Sequence, residues 1–531
     1  MDSAILYIEA RLQDDVELRD FTMVQEILER ELAKKEKNLV FQVGENLLND
    51  QRYASLALRG NYKNASSVLH SLNVVEYVGP ANESTYYSTN NVAVRVQMYK
   101  LCTTNDDKDV IPQGETTYMP HINFNEIWDD LIFGTDIKGE LIATMTNILR
   151  FSKRVSQKRA AMNPLILLHG PPGTGKTTLC QGLAQKVAIR LKDTYKVSRL
   201  IQIRTATLLS KFYSESAKQV DKIFTTIERM CDDDHEQFIC VLIDEVESIA
   251  SSREASMHGE AQDSLRATNS LLTGLDRVGK KSNVVFLCTS NMLGSLDLAF
   301  LDRCGIRIPV IAPAPAIQYE ILRMSIYTVP TRCDNGMTKF IGLHGLIADG
   351  IITPKCAIPC YRDAELEYVF DSVPVVELSS DEDRSNVMEG DQYGNQPNED
   401  IGDLYGARLL RIVEQINKQP DGEISGRSLT QLPEMSILRH LRSSQCNLNM
   451  AYSFMEICIN SVADSSNATT KEHSWEVVVN DESSDTEVQE ESASSSNGKR
   501  ERDEDELDLA LKLVERVAST LREAKRSKRG Q

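Results

Sequence analysis

One run, His169-Gly170-Pro171-Pro172-Gly173-Thr174-Gly175-Lys176-Thr177-Thr178, has the residue types and spacing to hold a polyphosphate. Gly170 to Thr177 fits G-x-x-x-x-G-K-[ST]. Gly173 and Gly175 free the backbone to turn tightly, with its N–H groups pointing inward at phosphate oxygens. The Lys176 ammonium would neutralise β- and γ-phosphates, and the Thr177 hydroxyl would ligate Mg²⁺. The expected cofactors are therefore ATP and Mg²⁺.

The elements on either side suit that task. Leu165 to Leu168 is a short apolar run that predicts a buried strand, and Leu179, Leu183 and Val187 follow at helical spacing. A strand, a glycine loop and a helix N-terminus together make an anion site. Further apolar runs at Leu200–Ile203, Phe238–Ile243, Val284–Cys288 and Ile306–Ile311 alternate with helical segments, the pattern of a parallel βαβ sheet. The run at Phe238–Ile243 ends in Asp244-Glu245. Asp244 is expected to bind Mg²⁺ through water, and Glu245 to polarise the attacking water. The next strand ends at Asn291, whose amide could orient the same water. Arg303 and Arg307 stand at a loop, where an arginine lent to a neighbouring subunit would sit. Ser425-Gly426-Arg427 opens a helix from which Arg427 could reach back to a γ-phosphate.

The 531 residues are too many for one core, and two or three domains with appendages are expected. A formal net charge of −19 disfavours a nucleic-acid groove and favours protein partners. The eleven cysteines lack zinc spacing and suit a reducing compartment. Neither a signal pattern nor an apolar run of roughly 20 residues is present, so the expected setting is soluble, in nucleus and cytoplasm, with no membrane contact.

Residues 1–118 read as a small α+β domain, with strands at Ala4–Ala10 and Asn91–Tyr99 and a helix at Val24–Leu32. Residues 119–150 read as a connector that Trp128 anchors on the next domain, helped by Phe124, Ile127, Leu131 and Ile132. Residues 151–311 form the nucleotide domain, and 312–463 a helical lid interrupted by an acidic insertion, 373–403, expected to be disordered. The tail, 464–531, reads as disordered apart from an amphipathic helix at 504–526. It ends in a basic cluster, Lys525 to Arg529, that is either a nuclear import signal or a solvated end. Val375-Val376-Glu377-Leu378 and Val477-Val478-Val479 each precede a run of acids. Each is either an acidic linker or a strand-forming SUMO-interacting motif.

Taken together these motifs resemble the AAA+ ATPases. The phosphate loop, Leu242-Ile243-Asp244-Glu245-Val246-Glu247-Ser248, Ser210-Lys211-Phe212-Tyr213-Ser214-Glu215-Ser216 and Ser425-Gly426-Arg427 are similar to the pachytene checkpoint protein family, which remodels HORMA-domain proteins in meiosis and the spindle checkpoint. The resemblance implies a parallel five-stranded sheet with helices on both faces, a helical lid and an α+β N-terminal domain. It implies a homo-hexameric ring with ATP between subunits. Arg303 would be the finger from the neighbour, with Arg307 the other candidate, and Asn291 and Arg427 the sensors. Lys211, Phe212 and Tyr213 would face the central channel and grip a client, although the family usually has tryptophan then phenylalanine there. The N-terminal domain would recognise a HORMA protein or a HORMA-type adaptor, and chromosomes and kinetochores become expected locations.

Two other classes compete. A nucleotide-switched scaffold would bind partners without turnover, but Lys176, Asp244, Glu245, Asn291, Arg303 and Arg427 are all present. A DNA-directed ATPase is disfavoured by the acidic balance and the aromatic pair at Phe212 and Tyr213.

Overall fold

The computed structural model describes residues 4–16, 21–34, 39–56, 64–80, 86–103, 111, 114–154, 163–205, 216–251, 261–328, 339–340, 361, 400–418, 424–441, 445–446 and 450–460. The chain divides into two units, Met1–Ser466 and Asn467–Gln531, and every element below belongs to the first. Lys211, Phe212 and Tyr213, both valine-acid stretches, residues 373–399 and the helix expected at 504–526 lie outside the described residues.

At the N-terminus, strand β1 (Ile5–Leu12) is packed under helix α1 (Phe21–Leu32). Val24, Ile27, Leu28 and Leu32 are the buried residues of α1, at the spacing of one helix face. β1 lies between β2 (Leu69–Val78), which runs antiparallel to it, and β3 (Ala93–Tyr99), which runs parallel. β2 went unread in the sequence for a physical reason. A register shift opposite Arg11 and Leu12 buries both Leu69 and Leu72, a spacing of three that breaks the alternation of a strand.

The next strand, β4 (Gly114–Met119), adds to the expected architecture. It leaves the N-terminal sheet and pairs antiparallel at the edge of the nucleotide sheet. Its sequence, GETTYM, is polar because only Thr117 and Met119 are buried, as suits an edge strand. Helix α2 (Ile137–Arg154) follows, buries Leu141, Met145, Ile148 and Leu149, and makes a full element of the expected connector.

Then come β5 (Leu165–His169), α3 (Lys176–Arg190), β6 (Val197–Arg204), α4 (Ser216–Asp233), β7 (Gln237–Asp244), α5 (Ala261–Val278), β8 (Val284–Ser290) and β9 (Ile306–Pro309). The sheet order is β9-β5-β8-β7-β6-β4, with the first five strands parallel. The five parallel strands stand where the apolar runs predict them. β9 stops short of Ile311, which is 71% exposed, because the chain turns away after Pro309 into the lid. Strand alternation builds the core twice over. Leu165, Leu167, Val241, Ile243 and Phe286 pack on one face with Phe224 of α4 and Leu271 of α5. Ile166, Leu168, Leu242 and Leu287 pack on the other with α2, α3 and Trp128. Trp128 is 6% exposed, and a Cβ at Gly182 of α3 would lie 3.1 Å from its ring, so the connector is anchored where the helix surface is bare.

The lid consists of α6 (Pro315–Thr328), α7 (Asp400–Asn417), α8 (Gly426–His440) and a helical stretch at 450–460. Tyr319, Leu322, Leu409, Ile412, Leu429, Tyr452 and Met455 form its core. α7 begins at Asp400, so the last residues of the expected acidic insertion are helical. No helix among the described residues is long and apolar enough to cross a membrane.

The N-terminal sheet is fastened to the far end of α3. Lys186 Nζ lies 2.8 Å from Glu9 Oε2, with both side chains almost buried. Arg190 pairs with Glu76, and its guanidinium stacks 3.6 Å from the centre of the Tyr7 ring. Gln97 Nε2 donates to the Arg190 carbonyl at 3.0 Å.

Candidate functional site

The glycine loop runs between β5 and α3, at the C-terminal edge of the sheet, where α/β folds of this kind place their ligands. Gly170 has φ +149°, and a Cβ there would sit 2.1 Å from the Val310 carbonyl oxygen. Gly173 and Gly175 have φ +74° and +86°, left-handed values that glycine tolerates without strain. Thr174 Oγ1 donates to the Pro171 carbonyl at 3.0 Å and closes the loop on itself. Pro172 is exposed at its crest, and Thr178 is half-buried in the first turn of α3.

Lys176 is only 6% exposed. Its ammonium donates to the carbonyls of Gly170 (2.9 Å) and Pro171 (2.6 Å). Burial lowers its pKa, while Glu247, Asp244 and Glu245 oppose that shift. His169, at the end of β5, is likewise held below its ordinary pKa by burial and by the charges of Arg307 and Lys176, so it stays neutral beside the loop.

β5 and β7 are not neighbours, because β8 lies between them. The end of β8 therefore stitches the loop to the carboxylates. Gly170 N–H donates to the Ser290 carbonyl at 3.2 Å. Thr289 Oγ1 donates to Asp244 Oδ1 and accepts the Glu245 N–H at 3.0 Å. Thr177 Oγ1 donates to the same Asp244 oxygen at 2.7 Å. Glu245 has φ +52°, a left-handed value that costs a non-glycine residue about 1–3 kcal/mol. It is held by Thr289 on its N–H and by Thr205 Oγ1, which donates to the carbonyls of Asp244 (2.8 Å) and Glu245 (3.1 Å). The Asn291 N–H donates to Glu247 Oε1 at 3.0 Å.

The lid reaches the loop through its backbone. Ser425 caps α8, and the Arg427 N–H donates to the Gly173 carbonyl at 3.0 Å, leaving the Arg427 side chain exposed. Arg303 is engaged elsewhere. It grips Asp276 of α5 with two bonds, at 2.8 and 2.7 Å, and donates to the Ala299 carbonyl at 2.7 Å. Arg307 is exposed, on a strand directly beside β5, and donates to the Leu301 carbonyl at 2.5 Å.

The structure thus brings Gly170 to Thr178, Asp244, Glu245, Asn291 and the Arg427 backbone to one edge, and sets Arg303 on the α5 side. It adds groups that sequence reasoning missed. Thr289 and Thr205 are hydroxyls at strand ends, and only the strand order shows that they face the Asp244-Glu245 turn. Beside Thr174 an apolar cleft is lined by Ile132, Phe133, Ile137, Val310, Ile317 and Ile321. Ile132 was read as part of the connector's apolar face, while Phe133 and Ile137 were not singled out. The cleft has the chemistry for an aromatic base. The Thr177–Asp244 pair offers two hard oxygens, and among the described residues no cluster of three or more His, Cys, Asp or Glu side chains forms. That donor set fits Mg²⁺, which takes few protein ligands and fills its shell with water and phosphate oxygens.

The family described as "ATPase family associated with various cellular activities (AAA)" matches residues 166–311. The chain is 41% identical over 223 residues to a Caenorhabditis elegans protein named "Putative pachytene checkpoint protein 2", covering 42% of this chain and 52% of that one. It is 39% identical over 248 residues to the Danio rerio "Pachytene checkpoint protein 2 homolog", covering 44% and 58%. These matches span about half the length of the curated relatives. The solved structure of C. elegans PCH-2 superimposes with a TM-score of 0.56 at 25% identity, covering 86% of this chain and 99% of that one. Its nucleotide sheet is matched by the AAA family, and over part of its length the chain is similar to the pachytene checkpoint protein 2 relatives.

Proposed function

We propose that this chain hydrolyses ATP and uses the turnover to remodel HORMA-domain proteins from a closed to an open form. The observation that carries the first half is the Asp244 carboxylate, which receives the hydroxyls of Thr177 and Thr289 beneath the glycine loop. In this reading Gly170, Pro171, Pro172, Gly173, Thr174, Gly175, Lys176, Thr177 and Thr178 seat the phosphates, and the apolar cleft takes the base. Lys176 exchanges two loop carbonyls for phosphate oxygens. Thr177 and Asp244 hold Mg²⁺, which when bound screens the phosphate charge. Glu245 takes the proton of the attacking water, Asn291 orients that water, and Arg427 meets the γ-phosphate. Arg303, or Arg307 in its place, completes the site of the next subunit in a homo-hexamer.

Resemblance to the family supports the second half. Lys211, Phe212 and Tyr213 grip the client in the channel, and the N-terminal domain recognises a HORMA protein or adaptor. The setting is nuclear and cytoplasmic, in meiotic and spindle checkpoints. The test is a paired assay on the full chain. ATP turnover should fall at least about a hundredfold in Glu245→Gln while ATP binding persists, the scale of losing a general base. Conversion of a closed HORMA domain should require ATP and the parental Glu245. Binding of ATP and a HORMA protein with no turnover in the parent would favour a nucleotide-switched scaffold.

A further inference from the structure

Glu247 stands two residues beyond the Asp244-Glu245 pair and belongs to none of the roles above. Its Oε1 accepts the Asn291 N–H at 3.0 Å, and its Oε2 is buried with no partner. An orphaned buried carboxylate oxygen is costly, so the group is held where it is by the bond that its other oxygen makes. That bond falls at a critical place. Asn291 is the residue immediately after β8 ends, beyond the last ladder position of that strand, and its N–H belongs to the Ser290–Asn291 peptide that closes the strand. The preceding residue, Ser290, is tied to the glycine loop through the Gly170 N–H. Glu247 ties the N–H side of that same Ser290–Asn291 peptide to the turn after β7. Two bonds, one on each side of this single peptide, thus fix the end of β8 between the loop and the carboxylates.

We propose that Glu247 is a positioning residue for hydrolysis, whose carboxylate docks the Asn291 backbone so that the Asn291 amide is presented to the phosphate site. This rests on the ATPase reading above. The role depends on reach, because only a side chain of glutamate length puts an acceptor at the Asn291 N–H. It does not depend on charge. Lys176 feels Glu247 before the other carboxylates, so a role as counter-charge is the rival account.

The two accounts order the conservative variants oppositely. Glu247→Gln keeps the acceptor and removes the charge. Glu247→Asp keeps the charge and shortens the arm. On the positioning account, Glu247→Asp loses about tenfold or more in kcat with KM for ATP within about threefold, while Glu247→Gln keeps at least about a third of parental kcat. Adding Asn291→Ala to Glu247→Asp should cost less than about twofold further, although Asn291→Ala alone costs about tenfold, since both changes disable one group. An active Glu247→Asp with an inactive Glu247→Gln would overturn the proposal in favour of the counter-charge. So would a double variant whose loss is the product of the singles. A parent that binds ATP without turning it over would instead overturn the ATPase reading itself.

Discussion

Thr289 offers the sharpest check on how the site is built, because polarity and hydrophobicity give opposite answers there. Every residue of β8 is buried, and Thr289 is 2% exposed. Valine has nearly the same shape and suits a buried strand better than serine does. Yet Thr289→Val would remove the hydroxyl bound to the Asp244 carboxylate, about 1.5–3 kcal/mol, and orphan the partly buried Glu245 N–H, about 1–3 kcal/mol. The added methyl returns about 0.8 kcal/mol. The net expectation is a loss of about 3 kcal/mol. Thr289→Ser keeps both hydrogen bonds and gives up one methyl, about 1 kcal/mol. Urea unfolding of the two variants side by side, followed by tryptophan fluorescence, should therefore rank serine above valine by about 2 kcal/mol. Released from Thr289, Glu245 would also relax from its left-handed conformation, and ATP turnover in Thr289→Val should fall at least about tenfold. A valine variant as stable as the serine variant would show that the Thr289 bonds do not hold the turn.

Three further outcomes are expected. In Gly170→Ala the new Cβ meets the Val310 carbonyl at 2.1 Å, so the loop or the lid linker must move and ATP affinity should drop at least about tenfold by fluorescent-nucleotide titration; unchanged affinity would show that the contact yields freely. Arg303→Ala should bind ATP without hydrolysing it and regain some activity when mixed with Glu245→Gln subunits, because one type of subunit boundary then carries both groups; no rescue in a mixed ring of verified composition would argue against action in trans. Phe212→Ala should hydrolyse ATP within a few-fold of the parent and fail to open a closed HORMA client, since local opening of a domain takes only part of its total stability of about 5–15 kcal/mol. Client conversion at the parental rate would move the grip elsewhere.

What could be read in advance depended on whether a signal was local. The glycine loop declared itself because tight turning, phosphate contact and helix entry all fall on one contiguous run from Gly170 to Thr177. Of the five parallel strands, β5, β7 and β8 were the most legible, because each is buried on both faces and reads as a continuous apolar run. β4 went unread because an edge strand half in solvent carries no such run, and nothing local tells Gly114 to Met119 which sheet to join. Asp244 and Glu245 were legible from their place at a strand end. Thr289 and Thr205 were not, since a threonine ending a buried strand is ordinary until the order of strands sets it against a carboxylate. Ile132 was seen as an apolar residue of the connector, but the concavity it shares with Phe133 and Ile317 exists only once connector and lid meet.

The seat of the N-terminal sheet on α3 has a mechanical meaning. That helix opens at Lys176, against the phosphate loop, and closes at Arg190, under the sheet. Its 15 residues make a rod about 22 Å long. A tilt of about 5° at the loop end swings the far end by about 2 Å, enough to separate an ion pair from its partner. Because Lys186 and Arg190 are fixed to Glu9, Glu76 and Tyr7 with little exposure, the sheet follows the rod rather than sliding on it. The glycine loop at one end and the seat of the N-terminal sheet at the other thus share one helix.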